Sequence, residues 1–180
     1  GEKKRILWDL GRYYCAYPEA VVKGGKGGKM TWKWAESLKG HVKKRKGLFK
    51  GNRNEWRGKK FDGFGDTYVF DGREKAVFDA PWFRCGRWCE VVVVAGKEKV
   101  EILDLSIVES RYPLECESVF ETPEDTSLAA VQEICTRAMQ MCAHEMFFDC
   151  PYYEQQMYPG DTRVQLNVVS SMTADDALIR

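Results

Sequence analysis

Long apolar runs are missing from this chain of 180 residues; none reaches the roughly 18 residues that a membrane-spanning helix needs. The opening Gly1-Glu2-Lys3-Lys4 does not lead into the apolar stretch of a secretory signal. No segment of about 20–50 residues recurs, which argues against a solenoid or propeller. Regular cysteine spacing is missing as well. The seven cysteines, at 15, 85, 89, 116, 135, 142 and 150, form no framework, so reduced, partly buried thiols are expected rather than a disulfide-stapled mini-domain. Cys85 and Cys89 would share one face of a strand, but no second Cys/His pair completes a zinc site. The glycines at 24, 25, 27 and 28 have neither the spacing nor the Lys-Ser/Thr ending of a phosphate loop. No metal and no cofactor is therefore expected.

What is present is the balance of a globular chain: 44% hydrophobic, 31% charged and 13% aromatic residues. The length suits one domain or two small ones. A net charge of +1 hides an asymmetry. Residues 1–60 carry 18 Lys/Arg against 5 Asp/Glu, a net +13, and residues 61–180 carry 10 against 22, a net −12. The basic residues crowd into residues 39–60, which have almost no apolar periodicity and read as a long surface loop. As a nucleic-acid arm this segment lacks interleaved aromatics apart from Phe49 and Trp56, so neither nucleic acid nor a membrane is expected as a partner.

Through about residue 110 the pattern is β. Residues 5–10 form a short apolar run ended by Gly11. Lys29–Ala35 alternates, with Met30, Trp32 and Trp34 on one face and Lys29, Thr31 and Lys33 on the other, the period of a half-buried strand. The glycines before it suit a turn with positive φ. Residues 67–70 and 76–78 flank an Asp71-Gly72 turn signal and predict a hairpin. Residues 83–95 and 99–110 are long β-rich runs on either side of Gly96, and the unbroken Val91 to Val94 predicts cover on both faces. Short strands with turn signals between them predict an antiparallel β-sandwich. Thr122-Pro123-Glu124-Asp125 then reads as a helix start, followed by Leu128, Val131, Ile134, Cys135, Ala138, Met141 and Cys142 on one helical face. A second helix is predicted over 163–172 after Gly160-Asp161-Thr162, and a third from Thr173 as N-cap. Two and a half helices are too few for an independent bundle core, so the expectation is a piece of a longer protein.

Chemistry concentrates in residues 147–163, where Asp149, Glu154 and Asp161 stand among Tyr152, Tyr153, Tyr158 and two glutamines. Pro151 and Pro159 keep this segment from being one continuous helix. Aromatic faces pack on the C–H faces of a pyranose, and carboxylates and amides bond its hydroxyls. A carboxyl desolvated among tyrosines can stay protonated and act as an acid. The same residues also suit a structural corner: Asp149 and Asp161 as helix caps, Glu154 as a bridge between helices. Cys150 without a placed histidine reads as packing, and His144 as a cation near a helix end.

Asp149-Cys150-Pro151, then Glu154, then Gly160-Asp161 resembles the active-site signature of bacterial α-L-rhamnosidases, in which a Glu follows five residues after the Asp and a Gly-Asp closes the loop twelve after. Upstream, residues 6–11, 34–38 and 81–88 resemble, in that order, the β-sandwich preceding the catalytic barrel in this family, and residues 120–128 the entry into its first barrel helix. The resemblance implies an α+β, multi-part fold: an antiparallel β-sandwich over 1–112, followed over 113–180 by the first helices and active-site loop of a truncated (α/α)6 barrel of the six-hairpin glycosidase type. It implies hydrolysis of terminal non-reducing α-L-rhamnosyl residues with inversion, acting on a rhamnose-containing glycoside or oligosaccharide. By motif position Glu154 is the general acid. Asp149 and Asp161 would bind rhamnose hydroxyls, and Tyr158 stands where many relatives carry Trp and would stack on the sugar. The general base would lie beyond Arg180, so the chain alone would be inactive. Tyr153 and Gln155 depart from the Arg that relatives often place on both sides of the acid, which bears on the sugar or aglycone preferred.

A second class fits the β part: a non-catalytic carbohydrate-binding or interaction module. Trp32, Trp34, Trp82 and Trp88 are then either core or sugar platforms. Aglycone, linkage, oligomeric state and compartment are not assigned by the sequence.

Overall fold

The computed structural model describes residues 1–41 and 46–180. It divides into two compact units, Gly1–Glu109 and Ser110–Arg180. The chain is α+β, dominated by antiparallel strands.

The first unit holds β1 (Lys3–Gly24), β2 (Lys29–Ala35), β3 (Lys39–His41), β4 (Leu48–Lys50), β5 (Phe64–Val69), β6 (Ala76–Asp79), β7 (Arg84–Val94) and β8 (Val100–Glu109). The main sheet runs β5-β2-β7-β1-β6, with β8 also paired to β1. Every pairing in it is antiparallel. The register of β1 dictates the curl of this sheet. Lys3 pairs with Val94 at one end of β1, and Gly24 pairs with Val100 at the other. A straight strand of that length would span about 70 Å, yet Val94 and Val100 are six residues apart and lie within about 20 Å of each other. β1 must therefore turn back on itself. Its register with β8 shifts between Val21 and Val22, and its register with β7 between Asp9 and Tyr14. Gly11 sits inside that irregularity with φ +77°, and its N–H bonds the Asp9 carboxylate at 2.9 Å.

The curled sheet closes on one core. Trp32, Trp34 and Met30 of β2 meet Ala16, Ala20 and Val22 of β1, Phe78 of β6, Phe70, and Cys89 and Val91 of β7. The alternation read in β2 is realised: Met30, Trp32 and Trp34 are buried and Lys29 is exposed. Each buried indole removes on the order of 200 Å² from water, worth about 5 kcal/mol at 25 cal/mol per Å². Trp88 is buried too, whereas Trp82 stays 42% exposed.

Several expectations are corrected. The run that Gly11 was expected to end continues to Gly24, because glycine accepts the bulge without breaking the strand. The predicted hairpin around Asp71-Gly72 does not form: β5 pairs with β2 and β6 with β1. The intervening residues carry the chain to another part of the curled sheet, and Tyr68 and Phe78 meet in the core with ring centroids 5.5 Å apart. In β7, Val91 and Val93 are buried but Val92 and Val94 only half-buried. The apolar run reflects a strand flanked on both edges, by β1 and β2, rather than covered on both faces. The basic segment 39–60 is not featureless, since β3 and β4 form a small ladder; its positions 42–45 lie outside the described residues. Lys39, Lys50 and Lys59 pair with Asp62, Glu36 and Glu55, and the Trp88 indole donates to Arg53 O at 2.9 Å.

The second unit holds α1 (Ser127–Cys142) and α2 (Pro159–Met172) around Leu114, Met139, Ala143, Phe147, Val169 and Met172. α1 starts five residues later than Thr122, which instead accepts a turn bond from Asp125 N. The apolar face read for α1 is only partly covered: Met139 and Met141 are buried, while Val131 and Ile134 are exposed. α2 starts four residues earlier than predicted, because Pro159 fills N1, where its missing N–H costs nothing. No third helix forms. Thr173 Oγ1 accepts from Asp175 N, and the chain continues as a turn at Asp176.

Candidate active site

The segment between α1 and α2 is anchored before it is shaped. Phe147 and Phe148 are buried. Phe148 N donates to Cys142 O at 2.8 Å, and Phe148 O accepts from Gln165 Nε2 of α2 at 2.7 Å. The His144 ring stacks on Phe148, with centroids 4.6 Å apart and planes at 20°, and its Nε2 lies 3.1 Å from Met141 O. His144 is thus buried and packed just beyond the C-terminal end of α1.

From this anchor the chain makes a closed loop over residues 149–156. Asp149 N donates to Gln156 O at 2.8 Å, and Gln156 N donates back to Asp149 Oδ1 at 3.3 Å. Inside the loop Gln155 N donates to Cys150 O at 3.1 Å, and Gln155 Nε2 donates to Pro151 O at 2.9 Å. Gln155 occupies the left-handed region at φ +54°, the one non-glycine residue among the described residues that does so. That conformation costs an L-residue about 1–2 kcal/mol, and the two hydrogen bonds offset it. Glu154 N donates to Cys150 Sγ at 3.4 Å, so the thiol of Cys150 helps shape the loop. Tyr152 is buried and meets the exposed Tyr153 edge-on, centroids 4.5 Å apart.

The result is a convergence of acidic and phenolic groups. Ligand atoms of Asp149, Cys150 and Glu154 all lie within 4.8 Å of one another. Tyr158 stands in extended conformation at the N-cap of α2, and a hydrogen bond that its hydroxyl donates to the Glu154 carboxylate, with the neighbouring charges of Glu154 and Asp149, raises its pKa. For Asp149, burial opposes the charge, but donors from the Cys150 and Gln156 backbone and the Cys150 thiol outweigh it and hold the carboxyl below its ordinary value. Glu154 itself is exposed: tyrosines stand beside it without enclosing it. Asp161 occupies the first turn of α2, not its cap, where a carboxylate favours the helix dipole. It stands outside the 4.8 Å group.

The loop therefore brings Asp149, Glu154 and Tyr158 together and leaves Asp161 apart. Sequence reasoning missed the Tyr158–Glu154 bond, the supporting Cys150 thiol and Gln165. A glutamine in mid-helix and a left-handed glutamine carry no sequence signal. Three clustered oxygen and sulfur ligands have the chemistry to hold a cation, and the same convergence suits sugar hydroxyls.

No protein-family model and no curated protein matches the sequence. Among solved structures, a GH78 family rhamnosidase of Bacillus sp. GL1 aligns over 99% of this chain with TM-score 0.77 at 21% identity. A rhamnosidase from Klebsiella oxytoca, solved with rhamnose bound, aligns over 98% with TM-score 0.67 at 17% identity. The chain has the fold of part of a rhamnosidase. It spans 17% of the Bacillus chain and 34% of the Klebsiella chain. At 99% and 98% of this chain, both alignments take in residues of both units.

Proposed function

We propose that this chain belongs to an inverting glycoside hydrolase that removes terminal α-L-rhamnosyl residues, with Glu154 as general acid. The observation that carries the reading is the convergence of Asp149, Glu154 and Tyr158 on one loop of a rhamnosidase-like fold. Glu154 gives its proton to the departing glycosidic oxygen. A second carboxylate activates water from the opposite face of the ring, roughly 6.5–9.5 Å from the acid. Asp149, kept ionised by backbone donors, accepts from a sugar hydroxyl, and Asp161 accepts from another. The Tyr158 hydroxyl orients Glu154 while its ring packs on the sugar. The general base lies outside this chain, which alone does not turn over substrate. In this reading residues 1–112 are the sandwich that precedes an (α/α)6 barrel, and residues 113–180 contain its opening helices. The exposed Val131 and Ile134 of α1 and Val164 of α2 support it, being side chains that further barrel helices would cover.

Glu154→Gln in the complete gene product tests the assignment. Turnover of an aryl α-L-rhamnoside should fall about 10²–10⁴-fold, and proton NMR of the wild-type reaction should show the β anomer of the sugar first. Unchanged turnover by the variant sinks Glu154 as the acid. A second reading, a carbohydrate-binding sandwich without catalysis, is favoured by Trp82, exposed and stacked on Phe83 at 5.1 Å and 29°. Tryptophan fluorescence titrated with oligosaccharide separates the two: a response lost in Trp82→Ala but kept in Glu154→Gln supports the binding module.

A further inference from the structure

The two thiols of Cys15 and Cys85 stand apart from the loop chemistry. They are register partners across the β1–β7 ladder, directly opposite each other. Their sulfurs lie 3.1 Å apart, on side chains 0% and 1% exposed. A disulfide bond is about 2.05 Å long, so closing the pair shortens the sulfur–sulfur distance by about 1 Å. The position is also singular. It falls immediately after the irregularity that contains Gly11, within the short resumed ladder Tyr14–Gly86, Cys15–Cys85 and Ala16–Arg84. Cys89, the third thiol of this unit, pairs with Trp8 and Trp34 and has no cysteine opposite it.

We infer that Cys15 and Cys85 form a disulfide site, a covalent latch that fixes the register in which β1 resumes its ladder with β7. The inference is independent of the glycosidase reading. The oxidant is a small-molecule disulfide such as oxidised glutathione. One cysteine thiolate attacks its S–S bond, giving a mixed disulfide and one glutathione thiolate. The second cysteine thiolate then attacks the protein sulfur of that mixed disulfide and displaces the other glutathione thiolate. The two cysteines lose two electrons and two protons, and the oxidant gains them as two thiols. Because both sulfurs are buried once the sheet has closed, the first step belongs to the folding chain and the second to the paired strands. The bond closes a loop between residues 70 apart, long enough for a large effect on the unfolded chain.

The test is refolding of the full chain in a glutathione redox buffer, acid quench, alkylation under denaturing conditions and peptide mapping. The expected result is one linked pair joining the peptides that carry Cys15 and Cys85, two hydrogens lighter than the reduced pair. Dithiothreitol reverses it, Cys85→Ser abolishes it and Cys89→Ser leaves it intact. The oxidised protein should melt on the order of 10 °C higher than the reduced one. Alkylation of both Cys15 and Cys85 at every glutathione ratio overturns the inference, and so does bridging of either to Cys89 in comparable yield. Mapping of the unsubstituted chain decides this even if a serine variant fails to fold.

Discussion

Replacing Gly11 by alanine probes the irregularity in β1 and has a cost that follows from two numbers. The backbone there is left-handed, φ +77°, and an added Cβ would meet no heavy atom within 4 Å. There is no clash to relieve, so the penalty is the conformational one of about 1–2 kcal/mol. Alanine also stiffens the unfolded chain, which returns about 0.4–1 kcal/mol. The net destabilisation is about 1 kcal/mol, a drop of roughly 4–8 °C in melting temperature for a unit of this size. Gly65→Ala is the matched contrast. Its Cβ would fall 1.9 Å from Trp32 O and 2.7 Å from Lys33 Cα, both backbone atoms, so β5 must move away from β2. Such overpacking costs about 1–3 kcal/mol or more. Urea unfolding followed by tryptophan fluorescence reads both, because Trp32 and Trp34 are buried beside that contact. The expected order of stability is wild type, then Gly11→Ala, then Gly65→Ala. A Gly11→Ala protein as stable as wild type would refute the cost assigned to the left-handed backbone at Gly11.

Two further outcomes concern titrating groups. Hydrogen bonds from Ser118, Thr136 and Gln132 lower the Cys116 thiol pKa, whereas burial pushes Cys89 up to about 12; iodoacetamide at neutral pH should label Cys116 early and native Cys89 not at all, and Ser118→Ala should slow the Cys116 reaction. Asp9 is held below its ordinary pKa, first by the bidentate Arg87 guanidinium at 2.7 and 2.9 Å. A depressed carboxylate contributes stability above its unfolded pKa of about 4 and loses it as pH falls through the lower folded value. Acid unfolding of Asp9→Asn should lack that part of the pH dependence, and an unchanged acid limb would show that the pair contributes nothing.

What the sequence disclosed was local. The alternation of β2 identified its buried face because two neighbouring strands fix a period of two. The proline at 159 and the acid-aromatic loop were visible as composition, and the loop spacing led to the rhamnosidase resemblance that the fold matches. What stayed hidden was which strands meet. Asp71-Gly72 is a hairpin signal, but pairing to β2 and β1 buries Phe78 and packs the half-buried Tyr68 against the same core, and that outweighs the turn preference. The length of β1 was hidden for the opposite reason: a glycine that usually punctuates a strand here only bends one. In the site, the spacing brought Glu154 and Asp149 forward together, but the Tyr158 hydroxyl reaching Glu154 depends on the extended backbone at the start of α2. Residue type alone could not supply that.

The doubled course of β1 also bears on synthesis. β1 is made first, yet its partners β6, β7 and β8 emerge 50 to 100 residues later. Until then a strand of 22 residues has no ladder to join. Pairings so distant in sequence fold slowly and leave strand edges open to neighbouring chains. For this unit the rate of synthesis of β6, β7 and β8 sets how long β1 must wait without a ladder.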